Sequence, residues 1–139
     1  MDLHYFLHGL LILMVGLLAG FPFAKAIRLQ NGKEVAWRVV HSGSSVAGIM
    51  LIAIGGVIGR LELCRILDIL IFLGVAVSTY LFVFGMLLAA IYSERGIGRS
   101  KSTPSRLWKT VKMSYAVGAL LSILSVGLLI IVCVLKILA

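Results

Sequence analysis

The stretch WRVVHSGSSVAGIMLIAIGGVIG, residues 37–59, decides the fold. From Val39 to Gly59 it holds one ionisable side chain, His41, among apolar residues, glycines and serines. A helix rises 1.5 Å per residue, so about 20 such residues cross the ~30 Å hydrocarbon layer of a bilayer. Three further runs approach or exceed that length: Tyr5 to Ala24, Leu67 to Tyr92 and Met113 to Leu135. The expected fold is all-α, a four-transmembrane-helix bundle forming one integral membrane domain over residues 1–139. Its helices are expected at about residues 5–24, 32–59, 67–92 and 104–136.

The composition agrees. The 139 residues are 61% hydrophobic and 13% charged, against roughly 45–50% and about 25% for an ordinary soluble domain. A soluble globule, a disordered chain and a disulfide scaffold are excluded, the last because there are two cysteines. The first run resembles a signal peptide in length, but Asp2 precedes it and no Lys or Arg does, so it is expected to be retained.

The net charge of +8 sits between the apolar runs, which reads as a topology signal and leaves no surface for nucleic acid. Lys25, Arg28, Lys33 and Arg38 lie between the first two runs. Arg95, Arg99, Lys101, Arg106, Lys109 and Lys112 precede the fourth, and only Arg60, Arg65 and Lys136 lie on the other side. The positive-inside rule then puts both long loops in the cytoplasm and both termini outside it, in a bacterial inner membrane. Trp37 and Trp108 fall on the same basic side.

Local signals refine the boundaries. Asn31 followed by Glu34 has the spacing of a capping box, which starts the second helix near Gly32 and places His41 inside it. Thr103 before Pro104 reads as the N-cap and first residue of the fourth helix. Each helix also carries small residues at helical spacing, including Gly9, Gly16 and Gly20 on the first and Ser45, Gly48 and Gly55 on the second. Such stripes let helix backbones approach closely. They also suit a flat ligand such as a porphyrin, and Ser45 and Gly48 continue the face of His41.

An ionisable group within a membrane is costly, so it is a functional candidate by default. His8 and His41 lie within apolar runs, and His4 lies at the outer edge. Asp68, at the outer start of the third helix, is expected to be structural, neutralised by Arg60 or Arg65. Zinc-ligand spacing, a nucleophile elbow, paired carboxylates, a phosphate-binding glycine loop and a covalent haem motif are all missing from the sequence. Cys64 and Cys133 both fall near the outer face, which leaves a disulfide open. A histidine ligating a non-covalent cofactor remains. His8 and His41 are expected to differ in depth by on the order of 15–20 Å, too far to share one iron.

His8-Gly9 at the head of the first helix, the run from Trp37 to Gly43, and Gly48, Met50 and Ile52 beyond it together resemble the styrene oxide isomerase family. The likeness is clearest over roughly residues 8–60. It implies a four-helix membrane protein that assembles as a homotrimer and binds haem b, with His41 as the axial iron ligand. It also implies a ferric iron acting as a Lewis acid on an epoxide oxygen, giving a carbonyl compound without net redox change. The family's helix-three tyrosine corresponds to Tyr80, which is the candidate catalytic residue. Where the family has an asparagine beside the substrate, this chain has Ala47, so the expectation is activity on bulkier apolar epoxides, or weaker activity on styrene oxide, rather than efficient turnover of styrene oxide. A b-type haem-binding or electron-transfer module and a non-catalytic membrane subunit remain alternatives.

Overall fold

The computed structural model describes residues 3–93 and 106–138. These form five helices: α1 (Leu3–Leu18), α2 (Gly20–Leu29), α3 (Glu34–Leu61), α4 (Arg65–Tyr92) and α5 (Arg106–Leu138). The helices α1 and α2 make one span, Leu3–Leu29, so four spans are long and apolar enough to cross a membrane. Among the described residues the fold is all-helical, and the chain is an integral membrane protein. Thr103 and Pro104 lie outside the described residues.

The break within the first span has a covalent cause. Pro22 has no N–H, so the carbonyl of Leu18 loses its helical partner, and the helix is interrupted at Ala19. The span then continues as α2 to Leu29, five residues beyond the expected end, and closes on Gln30 in the left-handed conformation. Asn31 and Glu34 do not form the reciprocal capping box, and each instead accepts from an amide between them, in the turn before the helix. The Lys33 amide donates to Asn31 Oδ1 and the Gly32 amide to Glu34 Oε1. The N-cap is Lys33, not Asn31. Gly32 supplies the positive φ of +75° that this turn requires.

The helices form an open bundle in the order α1, α3, α4, α5, with α5 packed mainly on α4. Two antiparallel seams of small residues hold it. In the α1–α3 seam Tyr5 lies over Gly55, Gly9 faces Gly48 and Ile52, and Gly16 faces Ser45. In the α4–α5 seam Gly74 faces Ser125, Gly118 faces the Ser78 carbonyl, and Gly85 lies under the Tyr115 ring. Between the seams, Leu51, Ile58, Ile71, Val75 and Val83 belong to one buried apolar cluster with Tyr5 and Ile12. A smaller cluster of Ala19, Val40 and Ala90 ties the break in the first span to α3 and α4, with Trp37 packed against it. Trp108 stays near the basic end, with Lys112 Nζ 5.0 Å from its ring centroid.

Candidate functional site

His41 occupies the second turn of α3, and its side chain enters the groove where α1 gives way to α2. Its Nδ1 lies 2.7 Å from the carbonyl oxygen of Gly16. A carbonyl only accepts, so Nδ1 carries the proton and donates it. In the neutral imidazole the remaining ring nitrogen, Nε2, then keeps its lone pair. The break in the helix matters here, because Gly16 lies in the last turn of α1, where main-chain acceptors are not all used by the helix itself. Gly20 lies 3.6 Å from the imidazole when a Cβ is placed on it. Phe23 of α2 stacks on the ring with centroids 6.1 Å apart and an interplanar angle of 26°.

Ser45 and Gly48, expected from the sequence to continue the face of His41, are both close to α1. Both lie in the α1–α3 seam, where α1 fills the space in front of them. A Cβ on Gly48 would stand 2.6 Å from the Gly9 carbonyl oxygen and 2.6 Å from the Leu13 amide nitrogen. Ser45 Oγ donates to the His41 carbonyl at 2.7 Å. Here the small stripe packs helices, and in doing so it fixes the turn of α3 that carries His41. Ala47 packs against the larger apolar cluster.

Tyr80 and His8 form a second constellation, further from the basic end. Tyr80 Oη lies 2.8 Å from His8 Nδ1, joining α4 to α1, and the two rings meet edge to face at 88°. Phe72 borders His8 and His4, at centroid distances of 5.4 and 5.9 Å. The Tyr5 hydroxyl is within 3.2 Å of both the main-chain oxygen and Oδ1 of Asp68. This hydroxyl was not anticipated as a partner for Asp68. Cys64 and Cys133 are free thiols, so the disulfide left open by the topology is not formed.

His8 and His41 do not converge. His8 sits eight residues above Gly16 on α1, about 12 Å along the axis, and the two imidazoles have different partners. Sequence reasoning missed Pro22 and Phe23, and it read Gly16 only as part of a small-residue stripe, not as the partner of His41. Pro22 was the available signal, since a proline inside an apolar run marks freed carbonyls.

With this geometry in place, the comparison with known families is specific. A family model of styrene oxide isomerase matches residues 1–136. The chain belongs to the styrene oxide isomerase family. The match extends through α4 and α5, beyond the region around residues 8–60 where the motifs are clearest. Membership of the styrene oxide isomerase family points to an activity related to epoxide isomerisation. Neither the curated proteins nor the solved structures gave a match.

Proposed function

We propose that this chain is a haem b-dependent isomerase that opens apolar epoxides to carbonyl compounds, with His41 as the axial ligand. The observation that carries the reading is the bond from His41 Nδ1–H to the Gly16 carbonyl. That bond fixes the tautomer and presents Nε2 as a donor, the arrangement that ligating histidines use. Among the described residues no group of three or more His, Cys, Asp or Glu side chains could hold a bare metal ion. A single imidazole suits a metal that arrives with its own equatorial ligands. When bound, ferric haem supplies a Lewis acid toward the epoxide oxygen, and the isomerisation needs no net redox change.

The chain's own residues do the remaining work. His41 is held by Gly16 and stacked by Phe23, so its ring does not rotate freely. Tyr80, 39% exposed along α4, offers a hydroxyl to a substrate dissolved in the bilayer. In this reading the chain assembles as a homotrimer, as the family resemblance implies. Ala47 contributes no polar contact, which favours bulky apolar epoxides over styrene oxide. In this reading the basic end faces the cytoplasm and both termini lie outside it.

The test uses detergent-purified protein from haem-replete cells. Wild type and His8→Ala are expected to show a Soret band, and His41→Ala to lose it while keeping its helical circular dichroism. The ferric wild type should convert a panel of aryl and alkyl epoxides to carbonyl products, and dithionite should slow it sharply. Loss of the band in His8→Ala with retention in His41→Ala would overturn the ligand assignment. Unchanged epoxide with fully haem-loaded ferric protein would leave a haem-binding or electron-transfer module in its place.

A further inference from the structure

We propose that His8 is a positioning residue for Tyr80, acting as the donor in their shared hydrogen bond so that the phenol proton stays directed at the substrate. The inference rests on the reading of Tyr80 as a catalytic group and goes beyond it by assigning a role to His8. Two ionisable side chains on different helices meet at 2.8 Å within the membrane-spanning region. Ionisable groups there are costly to keep and mark functional positions. The packing restricts the pair. Phe72 lies 5.4 Å from the His8 ring, and Tyr5 lies edge-on to Phe72 at 4.8 Å. The Tyr5 hydroxyl is in turn held at Asp68. Asp68, Tyr5 and Phe72 thus brace one side of the imidazole, and Tyr80 closes another.

The direction of the bond follows from the chemistry. Isomerising an epoxide to a carbonyl compound moves a hydride within the substrate and breaks one C–O bond, with no net gain or loss of protons. A proton relay from His8 through Tyr80 is therefore not required. What the reaction needs is a donor facing the oxygen on which negative charge grows as the C–O bond breaks. If Tyr80 gave its proton to His8, that donor would point away from the substrate. With Nδ1–H of His8 donating to Oη, the phenol proton is free to point outward, and accepting a hydrogen bond makes the phenol a stronger donor. His4, one helical turn from His8, has its ring centroid 5.9 Å from that of Phe72.

The experiment compares haem-loaded wild type with Tyr80→Phe, His8→Leu, His8→Asn and the double variant His8→Leu/Tyr80→Phe. Styrene oxide and dodecene oxide serve as probes. Tyr80→Phe is expected to lower kcat about a hundredfold, the scale of losing one donor at a developing oxyanion. His8→Leu should lower kcat about tenfold with little change in KM, since the phenol still samples the right direction. The double variant should be no worse than Tyr80→Phe alone, because the two act as one unit. His8→Asn places an amide N–H near the position of Nδ1 and should recover most of the loss.

A second readout is independent of activity. Nitrogen NMR of histidine-labelled wild type should show His8 protonated at Nδ1, and the Tyr80 Cζ resonance should move in His8→Leu but not in His8→Asn. Full kcat in His8→Leu, equal losses in His8→Leu and His8→Asn, or an unprotonated Nδ1 would each overturn the assignment of His8. Full activity in Tyr80→Phe would instead remove the reading of Tyr80 on which it rests.

Discussion

The α1–α3 and α4–α5 seams use the same device, small residues at helical spacing, but they meet differently. At Gly48 an added Cβ would strike backbone atoms of Gly9 and Leu13, and at Gly16 it would strike the Ser45 main chain. At Gly85 it would meet the edge of the Tyr115 ring at 2.9 Å, and at Gly74 the Ser125 hydroxyl. Backbone cannot move aside without separating the helices, whereas a ring can swing and a hydroxyl can rotate. The tightest backbone approaches, at Gly48 and Gly16, thus lie in the α1–α3 seam, whereas the backbone contact of Gly118 with the Ser78 carbonyl in the other seam is looser, at 3.2 Å. The α1–α3 seam also carries His41 and the break before Gly20, so the closest backbone packing and the ionisable group occur together. A ligand held by a single imidazole depends on such a fixed support.

The largest effect should come from testing this contrast directly. Gly48→Ala should cost about 2–3 kcal/mol, the upper part of the range for overpacking, and reduce recovery of folded protein in detergent. Gly85→Ala should cost about 1 kcal/mol or less, because Tyr115 can yield. Gly127→Ala, where an added methyl meets open space, is the control and should be neutral. Thermal unfolding followed by circular dichroism orders the three, and equal losses at Gly48 and Gly85 would erase the distinction between the seams.

A smaller effect is expected where the α1–α3 seam meets the helix break. Pro22→Ala restores an N–H four residues after Leu18 and lets the first span run on more continuously. With the turn at Ala19 made regular, the Gly20 N–H, four residues after Gly16, would compete with His41 Nδ1–H for the Gly16 carbonyl. Haem affinity should fall by about tenfold, as for loss of an outer partner of a ligating histidine. Titration of apoprotein with haem, read at the Soret band, measures it. Unchanged affinity would mean that the Gly16 carbonyl is available whether or not the helix is broken.

Much of this was legible from the sequence because membrane burial is a matter of composition. Four runs of sufficient length gave four spans, and glycine and serine spacing marked the helix seams. The position of His41 within a helix followed from its place in the run of residues 37–59. What the sequence did not show was rotation. Whether Ser45 and Gly48 face a ligand or a neighbouring helix depends on how α3 is turned, and the turn is set by contacts with Gly9, Leu13 and Gly16 on another helix. The pairings of His8 with Tyr80 and Tyr5 with Asp68 join residues more than sixty positions apart. No local pattern encodes such a meeting. Pro22 was visible, but only the packed chain shows His41 approaching Gly16 beside the break.

Ser44, on α3 of the same seam, gives the smallest and most discriminating prediction. Its neighbours behave as serines in membrane helices usually do: Ser42 Oγ donates to the Arg38 carbonyl at 2.8 Å and Ser45 Oγ to the His41 carbonyl at 2.7 Å. Ser44 is fully buried, and its Oγ has no hydrogen-bond partner among the described residues. A buried hydroxyl left unpaired costs about 1–3 kcal/mol relative to one that is satisfied, while its removal leaves only a small void. Ser44→Ala should therefore be neutral or stabilise the protein by up to ~1 kcal/mol, raising the thermal midpoint with the Soret band unchanged. A lower midpoint, or weaker haem retention, would show that the hydroxyl has a partner in the assembled protein. Such a partner would extend the polar environment of α3 from His41 to the next turn.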